Sequence, residues 1–144
     1  ASDVYKRQTH PATDMVIAQI EEGKMEIGMG QHGEGGGGLT EMKTADETAA
    51  IMIDALLRDL DIKKGEKLLV IVNGVGATTL MEQLIVFRKC CHYLAEKGIE
   101  VVANIVGEVL TVQEMAGFQL FISRVDDELL KYFNAPCRTP YYKN

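Results

Sequence analysis

Apolar positions recur along this chain with two different periods. Ala49, Ala50, Ile53, Leu56, Leu57 and Leu60 fall on one face of a helix. Thr44-Ala45-Asp46-Glu47 precedes them with Glu three residues after Thr, the spacing of a capping box, so a helix is expected over 45–60. Lys63-Lys64-Gly65-Glu66 is a turn, and Leu68 to Val72 is a short, largely β-branched run that reads as a buried strand. Leu80, Leu84, Phe87, Cys91 and Leu94 mark the apolar stripe of a long helix reaching Lys97, with Gly98 suited to the C′ position. Ile99 to Val106 supplies the next strand, so a right-handed βαβ unit is expected. Gly107 to Met115 is turn-like. Phe118 to Val125 reads as a further strand, and Asp126-Asp127-Glu128 opens a short helix ending near Phe133, its acids at the positive end of the dipole. Pro136 and Pro140 leave an irregular tail.

The first quarter of the chain is patterned more weakly. Thr9 to Asp14 reads as loop and Met15 to Ile20 as a strand. Glu21 to Lys24 would turn the chain into a hairpin with a second strand, where Met25, Ile27 and Met29 alternate with Glu26, Gly28 and Gly30. The opening ASDVYKRQ has no initiator Met and resembles translated sequencing-adapter sequence. Residues 1–8 are therefore set aside from the fold reading, the natural protein is expected to extend further toward its N-terminus, and 9–144 is taken as one domain. The order of elements gives an α/β class: a two-layer mixed β-sheet with packed helices.

Hydrophobic residues make up 47% of the 144 and charged residues 25%, in the range of globular proteins. The net charge of −6 argues against a nucleic-acid partner, which needs a basic face. No apolar run approaches the ~20 residues of a membrane span, so no membrane partner is expected. Three cysteines, two of them adjacent, suit a reduced, cytoplasmic setting. Cys91 falls on the apolar stripe, so Cys90-Cys91-His92 reads as core and surface. Met25, Met29, Met42 and Met52 read as packing. No spacing of Cys, His or acids matches a zinc or calcium site.

Chemistry concentrates in MEIGMGQHGEGGGG, Met25 to Gly38. His32 stands among seven glycines that strip away side chains and let a ligand come close. Such an imidazole can act as base, nucleophile or metal ligand, and a solvated loop histidine is the bland alternative. Asn73-Gly74-Val75-Gly76-Ala77-Thr78-Thr79 lacks Gly-Lys-Ser/Thr and the full G-x-G-x-x-G spacing. A tight turn with Asn73 and Thr78 bonded to backbone is favoured there over a phosphate cradle.

GMGQHGE, VNGVGATTLMEQL, VVANIVGEVLTVQEMAGFQLFISRVDDELL and NAPCRTP together resemble the C-terminal half of the K subunit of dihydroxyacetone kinase, from about Met25 to Pro140. The resemblance implies the C-terminal, ketose-binding subdomain of such a subunit, with His32 and Gly33 as substrate-binding residues. In that family the histidine adds to the substrate ketone as a covalent hemiaminal. An electrophilic carbonyl is captured, whereas glycerol offers none, and a terminal hydroxyl is presented for phosphoryl transfer. The nucleophile is the neutral ring, and its ordinary pKa of roughly 6.5 allows that at neutral pH. Glu34 either raises that value or orients the ring. The resemblance further implies a homodimer, no nucleotide on this chain, and ADP or ATP with Mg on a separate L-type subunit. Gln31 and Gly35 depart from the family's usual Ile and Pro, which suggests a different substrate range, erythrulose included. The family's acid–base pair lies in its other half, so this chain alone is expected to anchor ketone without turning it over. It is also expected to expose an apolar surface where that half belongs. The alternatives are a ketone-sensing paralogue that contacts a transcription regulator, and an α/β module whose glycine loop holds an anion.

Overall fold

The structure is a computed structural model. It describes the backbone of residues 2–5, 7–10, 15–28, 36–110 and 112–144, and the side chains of 20–28, 36–110 and 112–144. Among the described residues the elements run β1 (Ser2–Tyr5), β2 (Arg7–His10), β3 (Met15–Gln19), β4 (Lys24–Ile27), β5 (Leu39–Glu41), α1 (Ala45–Asp59), β6 (Lys67–Gly74), α2 (Leu80–Glu96), β7 (Glu100–Gly107), β8 (Gly117–Arg124) and α3 (Asp127–Phe133). A six-stranded sheet has the order β5-β4-β1-β8-β6-β7, and β2-β3 form a separate two-stranded sheet. Among the described strands β6 and β7 run parallel, joined through α2 as a βαβ unit, and the other strand pairs are antiparallel. The expected mixed α/β architecture is present.

The core lies between one face of the sheet and the two long helices. Leu68, Val70 and Val72 of β6 and Phe118 and Leu120 of β8 meet Met52 and Ile53 of α1 and Val86, Cys90 and Leu94 of α2. The alternation along β6 is the period-two signature of a strand with one face against helices. Both helices begin at a complete capping box, Thr44 with Glu47 and Thr79 with Glu82. Each box satisfies backbone donors that an uncapped helix leaves open. At the far end of α1, the Arg124 guanidinium from β8 donates to the Leu60 and Asp61 carbonyls and to Glu66 Oε2. The C-terminal segment straps the sheet from end to end. Lys67 Nζ holds Asp127 at the start of α3, 3.1 Å away, and the Tyr141 hydroxyl donates to the Glu108 carbonyl just beyond β7.

Five expectations are corrected. Ser2–Tyr5, set aside in the sequence reading, forms a strand inside the large sheet, with Ser2 opposite Leu120 and Val4 between Phe118 and Ile27. Thr9 and His10 are strand rather than loop, because β2 pairs with β3. The hairpin partner of β4 is β5, not β3. β4 itself stops at Ile27, because Gly28 takes φ +82° and turns the chain out of the sheet. Finally, the buried stripe of α2 is Gln83, Val86, Cys90 and Leu94. Cys90 is therefore the core thiol, Cys91 is only partly covered, and Leu80, Met81, Leu84 and Ile85 form an exposed apolar face. Gln83 sets this rotation by donating inward to the Thr78 carbonyl and Glu108 Oε1.

Candidate functional site

The glycine-rich segment is carried by the β4–β5 hairpin, and the hairpin is clamped at both ends. At its inner end the Gly37 N–H donates to the Ile27 carbonyl at 2.7 Å. At its outer end the Met42 N–H donates to the Gly23 carbonyl at 2.6 Å, and Lys24 pairs with Glu41 across the strands. Met25 pins the hairpin to the core. It is 1% exposed, and the Thr48 hydroxyl of α1 lies 3.9 Å from its sulfur. Gly28 and Gly38 both take positive φ where the chain leaves and re-enters the strands. A side chain at Gly28 would also press on the Gly37 nitrogen at 3.2 Å, inside the clamp. His32 and Gly33, the sequence-derived site residues, lie halfway along the nine residues between the anchors, outside the described residues.

Cavities flank the hairpin on two sides. One, of about 450 Å³, lies between the foot of the glycine segment and α1. The others, of about 270 and 340 Å³, share Met25, Met42, Thr78 and Glu82 and reach the start of β8. The first volume falls within the few hundred Å³ usual for small-ligand sites.

The turn after β6 is a braced scaffold, as the sequence favoured. Asn73, 1% exposed, accepts from the Val109 and Leu110 N–H groups through Oδ1 and donates to the Leu110 carbonyl and Gln119 Oε1 through Nδ2. The Thr78 hydroxyl donates to the Gly117 carbonyl. The Thr79 N–H is bound by Glu82 and the Glu82 N–H by Thr79, so the start of α2 spends these donors on its own cap. The second capping box has the same Thr-x-x-Glu spacing as the first and was equally open to detection. Asp126 caps α3 and Asp127 pairs with Lys67, which agrees with a helix-start reading of the acidic triplet. Burial pushes the Cys90 thiol up to about 12, with Cys91 adding to the shift, so Cys90 is no nucleophile at neutral pH. Among the described residues no three His, Cys, Asp or Glu side chains gather as metal ligands, and no helix is long and apolar enough to cross a membrane.

Fold and site together define an α/β domain in which a hairpin at the edge of a mixed sheet carries both anchors of a glycine-rich segment. Residues 4–141 match the Dak1 domain family, and the chain belongs to it. The chain is 36% identical over 94% of its length to the dihydroxyacetone-binding subunit DhaK of a PTS-dependent dihydroxyacetone kinase of Listeria innocua, covering 41% of that protein. It is 36% identical over the same share to a D-erythrulose kinase of Mycolicibacterium smegmatis, covering 23% of it. It therefore spans well under half the length of these curated relatives. Among solved structures, the dihydroxyacetone kinase operon co-activator DhaQ superposes with a TM-score of 0.85 at 25% identity, over 94% of this chain and 42% of that one. The dihydroxyacetone kinase of C. freundii in complex with AMP-PNP and Mg2+ superposes with a TM-score of 0.66 at 25% identity, over 90% of this chain and 24% of that one.

Proposed function

We propose that this domain is the substrate-holding part of a short-ketose kinase, carrying dihydroxyacetone or erythrulose as a hemiaminal on His32. In this reading an unprotonated ring nitrogen of His32 bonds to the carbonyl carbon. The carbonyl π pair moves onto oxygen, which gains a proton as the other ring nitrogen gives one up. The terminal hydroxyl of the adduct is then fixed for phosphorylation, with the nucleotide and Mg on a separate L-type subunit. The observation that carries the reading is the clamp between Ile27 and Gly37, which fixes both feet of the His32-bearing segment on a core-pinned hairpin. The relatives named for dihydroxyacetone and erythrulose supply the substrate class. Homodimer formation and a cytoplasmic setting belong to the same proposal.

Native mass spectrometry tests it. The chain incubated with dihydroxyacetone should gain the mass of one whole ketose with no loss of water. Glycerol should add nothing, and His32→Ala should abolish the adduct. An adduct that survives in His32→Ala rejects the reading. The likeness to the co-activator DhaQ favours a second reading, a ketone sensor that captures the ligand in the same way but contacts a regulator. Phosphoryl transfer to the captured ketose, in the full-length protein supplied with an L-type subunit and a donor, separates the two.

A further inference from the structure

Leu80, Leu84, Phe87 and Cys91, read from the sequence as the core stripe of α2, form a stripe that points sideways. Arg88 reaches Asp46 on α1, and Tyr93 and Lys97 both reach Asp54, so these residues mark the flank of α2 that faces α1. Gln83, Val86, Cys90 and Leu94 face the sheet. At about 100° per residue, Leu80, Leu84, Phe87, Cys91 and Ala95 fall together on the flank away from α1. Leu80 is 55% exposed and Leu84 48%; Ala95 is exposed, and Phe87 and Cys91 are only partly covered.

That flank overlooks the open edge of the sheet. α2 packs on β6 and β7, while α1 lies toward β4, where its Thr48 meets Met25. β7 is the last strand of the large sheet, and among the described residues no strand pairs with its outer side. The main-chain groups along that side are a template for a further strand, and proteins commonly blunt such an edge with lysine or proline. β7 has neither, and its one charge is Glu100, at the start. Its one irregularity is the register shift that skips Val102; residues 103–107 run unbroken beyond it.

We infer that a second copy of this chain docks here across a two-fold axis, β7 antiparallel to β7 and α2 against α2. A partner must match both a strand edge and an apolar helix flank, and a two-fold presents each tier to its own equivalent. The tiers have equal reach: the 8 residues of β7 and the 17 of α2 each extend about 25 Å. Antiparallel pairing also sets the two Glu100 carboxylates at opposite ends of the contact, so these like charges do not meet. The sheet then runs on through both copies, and the exposed leucines of the flank leave water. That there are two copies rests on the homodimer of the proposed function; the surface they use does not depend on ketose chemistry.

Sedimentation velocity of the 144-residue chain over a range of concentrations tests it, with hydrogen exchange on the same samples. A dimer is expected, with slow exchange at the outward amides of residues 103–106. Leu84→Glu puts a charge inside the contact and should weaken the dimer about tenfold or more. Asn104→Lys leaves α2 untouched but brings two lysines together near the middle of the paired strands, and should weaken it likewise. Ile85→Glu is the control. Ile85 is 42% exposed, close to its neighbour, but lines the cavity beside Met42 and Thr48 on the α1 side, so this variant should stay dimeric. Cooperative thermal unfolding and the His32 adduct mass should persist in all three. A chain that is monomeric throughout overturns the inference. So does a dimer that Leu84→Glu and Asn104→Lys leave intact, or one that Ile85→Glu breaks as readily. A Leu84-dependent dimer with no ketose adduct keeps this surface and removes the ketose reading, and an adduct on a monomer does the reverse.

Discussion

Gly74 leaves the space that the Glu108 carboxylate fills. A methyl carbon on Gly74 would stand 2.7 Å from Glu108 Cδ and overlap both Glu108 Oε1 and Gln83 Nε2. Gly74→Ala should therefore break the Gln83–Glu108 hydrogen bond by displacing two side-chain ends, at a cost of about 1–3 kcal/mol. Gly76→Ala should cost more. Its φ is +108°, and the atoms in the way are backbone: the Val112 carbonyl and the Glu114 nitrogen, the latter at 2.7 Å. Chemical denaturation of both variants checks the order, and a Gly76→Ala protein as stable as Gly74→Ala contradicts it.

Asn73 serves two loops with one side chain. Asn73→Leu keeps the number of side-chain heavy atoms but strands the Val109 and Leu110 N–H groups of their partner. The expected loss is roughly 3 kcal/mol, from more than one buried unmet polar group. Hydrogen exchange should rise first at Val109 and Leu110, ahead of the β6 amides.

The two capping boxes make the domain acid-sensitive. The Thr44 hydroxyl and then its N–H hold the Glu47 carboxyl below its ordinary 4.5, and Thr79 does the same for Glu82. A depressed folded pKa means that the unfolded chain binds the proton more tightly. The contribution is complete above the unfolded value and is lost as pH falls through the folded one. Melting temperature measured between neutral pH and pH 3 should drop less steeply in the Thr44→Ala, Thr79→Ala double variant. The same variant should be less stable at neutral pH by about 1 kcal/mol per cap.

The three thiols should label in the order of their exposure. Cys137 is exposed, Cys91 partly covered and Cys90 buried. With iodoacetamide at mildly alkaline pH, Cys137 should react first and Cys91 more slowly. Cys90, held near 12, should react only when denaturant unfolds the chain. Peptide mapping reads the order, and early labelling of Cys90 would falsify the stripe assigned to α2.

Local signals in the sequence carried the helices and the βαβ unit. Thr44 with Glu47 announces α1, Gly98 (φ +72°) closes α2, and Leu68 to Val72 sits in β6 as its β-branched run requires. What failed depends on partners far apart in the chain. Nothing in Ser2–Tyr5 announces that Ser2 lies opposite Leu120, and nothing in Met15–Gln19 says that it pairs backward with β2 instead of forward with β4. Periodicity alone could not choose between Cys90 and Cys91, since adjacent apolar residues fit two stripes; the inward hydrogen bonds of Gln83 decide it. The glycine segment was legible as a candidate site because its composition is extreme.

The Ile27–Gly37 clamp uses only main-chain atoms and a bend that glycine supplies. A grip made of main chain does not read the side chains it spans, so exchanging residues between Gly28 and Gly37 is expected to leave the hairpin's hold on Met25 and the core in place. A scaffold of this kind separates the capacity to acquire new specificities from the risk of unfolding, and a library randomised across that interval should yield mostly folded proteins.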